Sequence, residues 1–206
     1  MLGMRDVGDR ILLRLSKSTI VDGLWVGVSS DENAQEVLSR VRQALHLIKT
    51  YDPCRYKRVQ CELQSILISY LFGAAGIFNP KLRRCNLDVD FVMTSPPEVI
   101  ASTIIHESTH GYLHRRNIPY HEEIRHRVER ACIHQEMAFA KKVPDAHALM
   151  QNIEHTLELP PETWSRTGIY QLRRAALVSA DVRFPRWLHR ALIWAFDRRN
   201  RSGRRR

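Results

Sequence analysis

The spacing of apolar residues along the chain changes several times, and each change predicts an element. Ile11-Leu12-Leu13-Arg14-Leu15, a Ser16-Lys17-Ser18 break, and then Ile20 to Val28 show partial alternation and β-branched content, which predicts two short strands. From Ser30-Asp31-Glu32 onward, Val37, Leu38, Val41, Ala44, Leu45 and Ile48 recur at helical spacing behind a cap, and Asp52-Pro53 ends the run. A second helix could open between Arg55 and Glu62. Ile66-Leu67-Ile68 reads as a strand. So do residues 85–93, where Leu87, Val89, Phe91 and Met93 share one face and Asn86, Asp88, Asp90 and Val92 the other; a Gly/Asn-Pro loop separates the two.

Ser95-Pro96-Pro97-Glu98 is a helix start, with proline tolerated in the first turn and a carboxylate matched to the helix dipole. That helix is expected to run to about Arg115, where Asn117-Ile118-Pro119 breaks it, and a further helix from about His121 to Lys142 stops at Val143-Pro144. Helices are also expected over residues 146–157, 161–177 and 185–198. The order strand, helix, strand, then all helix predicts an α+β fold: one domain over residues 1–196, with a core at about 31–143 and a helical C-terminal lobe at about 145–196.

A chain of 206 residues, 44% hydrophobic, is long enough to bury one sizeable core. The formal charge is +10, of which residues 197–206, with six arginines and one aspartate, supply +5. Such an end is expected to be a disordered, solvated tail. It serves either solubility or attraction to an acidic partner or nucleic acid, though no aromatic residue interleaves with the arginines to stack on bases. Cys54, Cys61, Cys85 and Cys132 form no C-x-x-C pair and no signal-type apolar run opens the chain, so reduced thiols and a cytoplasmic location are expected. The most lipid-like stretch, residues 66–78, falls short of the ~20 residues of a spanning helix, so no membrane association is expected.

The segment that changes the picture is Thr103-Ile104-Ile105-His106-Glu107-Ser108-Thr109-His110-Gly111-Tyr112, which holds H-E-x-x-H inside the helix predicted from Pro97. Histidines four apart project from one helical face, so both imidazoles can reach one Zn²⁺ at ~2.0–2.1 Å while Glu107 sits near a water on the ion. The flanks agree with a buried helix: Ile104 and Ile105 can pack into a core, and Ser108 and Thr109 are small and uncharged.

This segment resembles the zincin superfamily of metallopeptidases. Metzincins take a third histidine six residues after the second ligand, but position 116 is arginine. His114 lies roughly 12 Å along the axis from His106, so one straight helix cannot bring His106, His110 and His114 to one ion, and an exposed helix-end histidine is expected there. Gluzincins take a glutamate from the following helix. Eighteen residues separate His110 from Glu129, a spacing similar to the aminopeptidase branch of that group, although the G-x-M-E-N motif of that branch is missing. The resemblance thus implies a zincin-like domain in which His106, His110 and Glu129 hold Zn²⁺, with Glu136, Glu122 and Glu123 as rival ligands. Glu107 would be the general base for peptide or protein hydrolysis, and the strand at 86–93 would pair with an extended substrate. Oxyanion stabilisers could be Tyr112, Tyr120, His126 or His134, and Asp88 or Asp90 could orient the histidines. A zinc-dependent hydrolase of a non-peptide amide or ester, and a nucleic-acid or partner-binding protein with a degenerate site, remain alternatives.

Overall fold

The computed structural model describes residues 16–29, 33–71 and 73–179. The fold is α+β, with a five-stranded mixed sheet and seven helices among the described residues. The segments 11–15 and 185–198 and the Arg-rich end lie outside them.

Strands β1 (Lys17–Val21) and β2 (Leu24–Val28) form an antiparallel hairpin. The run from Ile20 to Val28 is therefore two strands, split at Asp22 (φ 47°) and Gly23 (φ 85°), a two-residue turn of the kind that Asp-Gly favours because both positions need positive φ. The Asp22 carboxylate accepts hydrogen bonds from Lys49 Nζ and Tyr56 Oη, both at 2.7 Å, which ties the hairpin to the next two helices. These are α1 (Ala34–Tyr51) and α2 (Pro53–Glu62). α1 buries Val37, Leu38, Val41, Ala44, Leu45 and Ile48, the stripe expected from its sequence. Asp52 stops α1 and starts α2, its side chain accepting the Arg55 amide at 3.2 Å with Pro53 in the first turn.

Strand β3 (Ser65–Ser69) runs parallel to β2. Strand β4 (Gly76–Asn79) follows, and then β5 (Arg84–Asp88), which lies between β3 (parallel) and β4 (antiparallel). The sheet order is β1-β2-β3-β5-β4, so β4 is an edge. Two expectations are corrected here. The loop between Ile68 and Cys85 contains a strand, and the strand expected over 85–93 ends at Asp88. Asp88 instead caps α3 (Val89–Thr94), accepting the Phe91 amide at 3.0 Å and the Leu71 amide at 2.7 Å. Alternation past that point carries less weight than an aspartate able to cap, because Val89 and Val92 bury at helical spacing just as well.

α4 (Pro97–Arg115) is central, packed by α1, α2, β4 and α5 (Arg125–Ala140). A helix buried on so many sides must satisfy its polar residues internally. The Ser108 and Thr109 hydroxyls donate to the Ile105 carbonyl at 2.9 and 2.8 Å, and Thr103 donates to Val99 at 3.1 Å. At its end Asn117 takes φ 57° and the Ile118 amide reaches back to the Leu113 carbonyl at 3.0 Å, which turns the chain sharply. α5 begins at Arg125, four residues later than expected, because residues 117–124 are spent on that reversal. Beyond it lie α6 (His147–Glu158), a 3₁₀ turn (Pro161–Trp164) and α7 (Arg166–Ser179), so the helix expected from Pro161 is interrupted at Ser165.

Two apolar clusters form. The larger joins the sheet to α1–α4 and receives Phe139 from α5; the smaller holds Ile133, Ala140, Ala146, Leu149 and Ile153 from α5, α6 and the segment between them. No described helix is long and apolar enough to cross a membrane.

Candidate metal centre

The seam between α4 and α5 brings the histidines of the H-E-x-x-H segment against a carboxylate stripe. His106 Nε2 and His110 Nε2 lie 3.1 Å apart. Glu129 Oε2 is 3.1 Å from His106 Nε2, and Glu129 Oε1 is 3.7 Å from His110 Nε2. Donors at ~2.0–2.1 Å around a tetrahedral ion are about 3.3 Å from one another, close to the separation of the two Nε2 atoms, while Glu129 bridges the two rings with different oxygens. Glu129 is buried, which a carboxylate tolerates when paired.

The rival glutamates are separated by geometry. Glu136, two turns along α5, meets the opposite nitrogen of His106, with Oε1 2.6 Å from Nδ1, while its Oε2 accepts Ser102 Oγ at 2.7 Å. It therefore orients His106 and leaves Nε2 directed at Glu129 and His110. Glu122 faces α7, accepting the Arg166 amide at 2.9 Å and pairing with Arg125 at 3.5 Å, and Glu123 is exposed. The orienting role assigned to Asp88 or Asp90 is corrected accordingly: Asp88 caps α3 and Asp90 is exposed. His114 is exposed at the helix end, its ring 6.4 Å from Phe78.

Glu107 is buried on the side of α4 that faces β4. Burial pushes its carboxyl above the usual carboxylate range; the adjacent His106 and His110 and a hydrogen bond from the Phe78 amide pull it back, while the Glu129 charge pushes it further up. β4 can approach this closely because Gly76 has no side chain: a Cβ there would come within 2.8 Å of Thr103 Cγ2 and 3.0 Å of Glu107 Cγ. Glu129 behaves oppositely to Glu107. Burial opposes its charge, but hydrogen bonds and charge from both histidines outweigh that and hold it well below its ordinary value.

Burial opposes charging of the imidazoles as well. For His106 it is outweighed by Cys132, Glu129 and Glu136, and for His110 by Cys132 and Glu129, so that His110 is pushed up to about 10. Both rings thus favour their charged form beside the neighbouring carboxylates.

Of the four oxyanion candidates only Tyr120 lines the cleft. Its ring meets His110 edge-on at 5.3 Å, its hydroxyl donates to Glu129 Oε1, and the Arg125 guanidinium stacks on the ring at 4.2 Å. Burial and the Glu129 carboxylate keep the phenol protonated, far above its ordinary value. Tyr112 is instead stacked by Arg58 and Arg116, at 4.7 and 4.5 Å. His126 is half-buried away from the cleft and His134 is exposed.

The cleft measures about 610 Å³ and is lined by His106, Glu107, His110 and Glu129, by Gly76, Ile77 and Phe78 of β4, and by Trp164, Ile169 and Leu172. The substrate-pairing strand expected at 86–93 is corrected by this arrangement: β5 is enclosed between β3 and β4, and the edge beside the centre is β4.

Reading the sequence did not place Cys132 in the centre. The donor atoms of His106, His110 and Cys132 all lie within 4.8 Å of one another, a group that could hold a metal ion. The signal was available, because Cys132 is three residues after Glu129 and so shares its helical face. Compared with family models, curated proteins and solved structures, the chain matches none.

Proposed function

We propose that the chain is a zinc-dependent peptide hydrolase of the gluzincin type, with a zincin-like domain in which His106, His110 and Glu129 are metal ligands. The observation that carries this reading is the position of Glu107, a buried carboxylate opening into a cleft beside two imidazoles whose Nε2 atoms are 3.1 Å apart. A closed structural shell needs no such group, whereas hydrolysis needs a base beside the ion. The donor set of nitrogen and carboxylate suits zinc, which would act there as a Lewis acid and lower the pKa of a water toward ~7.

The protein's own groups supply the rest. Glu107, anchored by the Phe78 amide, takes the proton of the attacking water and returns it to the departing amine. Its raised pKa suits a group that must hold a proton between those events. Tyr120, whose hydroxyl donates to Glu129 at rest, turns that donor to the oxygen on which negative charge develops. The substrate lies extended along β4, whose length of four residues sets a short recognition register.

The test has two parts. Elemental analysis of the purified protein should find about one zinc per chain, lost in His110→Ala and weakened in Glu129→Ala. Glu107→Gln should keep the zinc and lose about 10²–10⁴-fold in peptide hydrolysis. Full activity in a zinc-loaded Glu107→Gln protein would refute the assignment. Turnover of amide or ester substrates but of no peptide in a library would move the reading to a non-peptide hydrolase.

A further inference from the structure

α5 presents two donors to the centre, Glu129 and, one turn later, Cys132, and the second is not a ligand type that the H-E-x-x-H resemblance carries. Cys132 is fully buried with its sulfur in the group formed by the two histidines. A buried cysteine usually packs as a small apolar residue. This one has its sulfur within 4.8 Å of a ring nitrogen of both His106 and His110. The other cysteines offer a contrast: Cys54 and Cys61 are exposed on α2, and Cys85 belongs to the large apolar cluster.

We propose that Cys132 is a thiolate ligand of the same metal ion, so that the centre is built from two pairs of residues, His106 and His110 four apart on α4 and Glu129 and Cys132 three apart on α5. The inference rests on the metal-binding part of the preceding reading and deepens it. A sulfur donor narrows the metals the centre takes: thiolate with imidazole favours zinc or cobalt and disfavours magnesium, calcium and manganese, which prefer oxygen. A fourth protein donor also bears on how the centre works: zinc held by four side chains takes water or substrate by expanding to five ligands or by releasing one donor.

The full-length protein is stripped with chelator, dialysed and reloaded with Co²⁺ or Zn²⁺. The cobalt protein should show a near-ultraviolet thiolate-to-cobalt charge-transfer band. Cys132→Ser should remove that band, keep the visible bands of histidine-bound cobalt, and weaken zinc binding by more than the about 10-fold to 100-fold lost when an outer partner of a ligand is removed. X-ray absorption at the zinc edge of the wild-type protein, which needs no variant, should find one sulfur at about 2.3 Å. One metal per chain with only nitrogen and oxygen neighbours overturns the role of Cys132 and leaves the histidine–glutamate centre standing. A protein that takes up neither metal overturns both.

Discussion

At the residue scale, the centre depends on which nitrogen of His106 is free. Glu136 holds Nδ1 at 2.6 Å and is itself held by Ser102, so the ring cannot turn to offer Nδ1 to the cleft. Glu136→Ala is therefore expected to weaken zinc binding by about 10-fold to 100-fold, and Glu136→Gln, which keeps an acceptor, by much less; competition with a calibrated chelator measures both. Equal affinities in the two variants would show that orientation of His106 is not limiting. That His106 and His110 would meet on one face of a helix was legible because a four-residue spacing there has one geometric meaning. The different surroundings of Glu122, Glu129 and Glu136 were not, since all three carboxylates recur at seven-residue intervals, near one stripe of the helix expected from His121. What separates them is the reversal at Asn117, which sets where α5 starts against α4, and no local pattern encodes that offset. Cys132 was passed over because its helical face and its small apolar character both fit a core position.

At the element scale, the contact between β4 and α4 places the edge of the sheet beside Glu107, where the proposed hydrolase would hold its substrate. It is possible only with glycine at position 76. Gly76→Val is expected to push β4 off α4, costing about 1–3 kcal/mol from overpacking and removing peptide hydrolysis, while zinc content stays at the wild-type level because no ligand comes from β4. Thermal unfolding, metal analysis and a rate assay separate these effects, and unchanged hydrolysis would show that β4 has no part in binding. This strand is the element sequence reading missed. Gly76 to Asn79 is four residues long, starts with glycine and precedes proline, all signs of a loop, and pairing with β5 overrides them. The α1, α4 and α6 helices were legible from apolar periodicity and proline punctuation. The error over 85–93 arose because Val, Phe and Met at alternate positions suit a strand as well as one turn and a half of helix.

At the scale of the whole molecule, Asp52 is a knot between distant parts of the fold. It is buried at the α1–α2 junction and accepts Arg55 from α2 and, at 2.9 Å, Lys142 from just beyond α5. Burial pushes its carboxyl up, but the hydrogen bonds from Lys142 and Arg55 outweigh this and hold it below its ordinary value. A carboxylate with a lowered folded pKa stabilises the protein above its unfolded value of about 3.9, and that contribution is lost as pH falls through the lower folded value. Acid unfolding followed between about pH 5 and 2 should therefore be steeper in the wild-type protein than in Asp52→Asn, and Asp52→Ala should cost about 3 kcal/mol at neutral pH. A variant that unfolds in acid along the wild-type curve would remove Asp52 from this role.

The two apolar clusters meet at the seam between α4 and α5: His106 and His110 stand on a helix of the larger cluster, Glu129 and Cys132 on one that anchors the smaller. Regions with separate cores open separately, and the one with fewer buried contacts opens more often. An ion held across the seam would act as a rivet between them, closing the smaller region to solvent as effectively as the larger. Amide hydrogens of α6, which carries none of the four donors, should then exchange with deuterium markedly more slowly when zinc is present. If their exchange rates ignored the metal, the two cores would be held together without it.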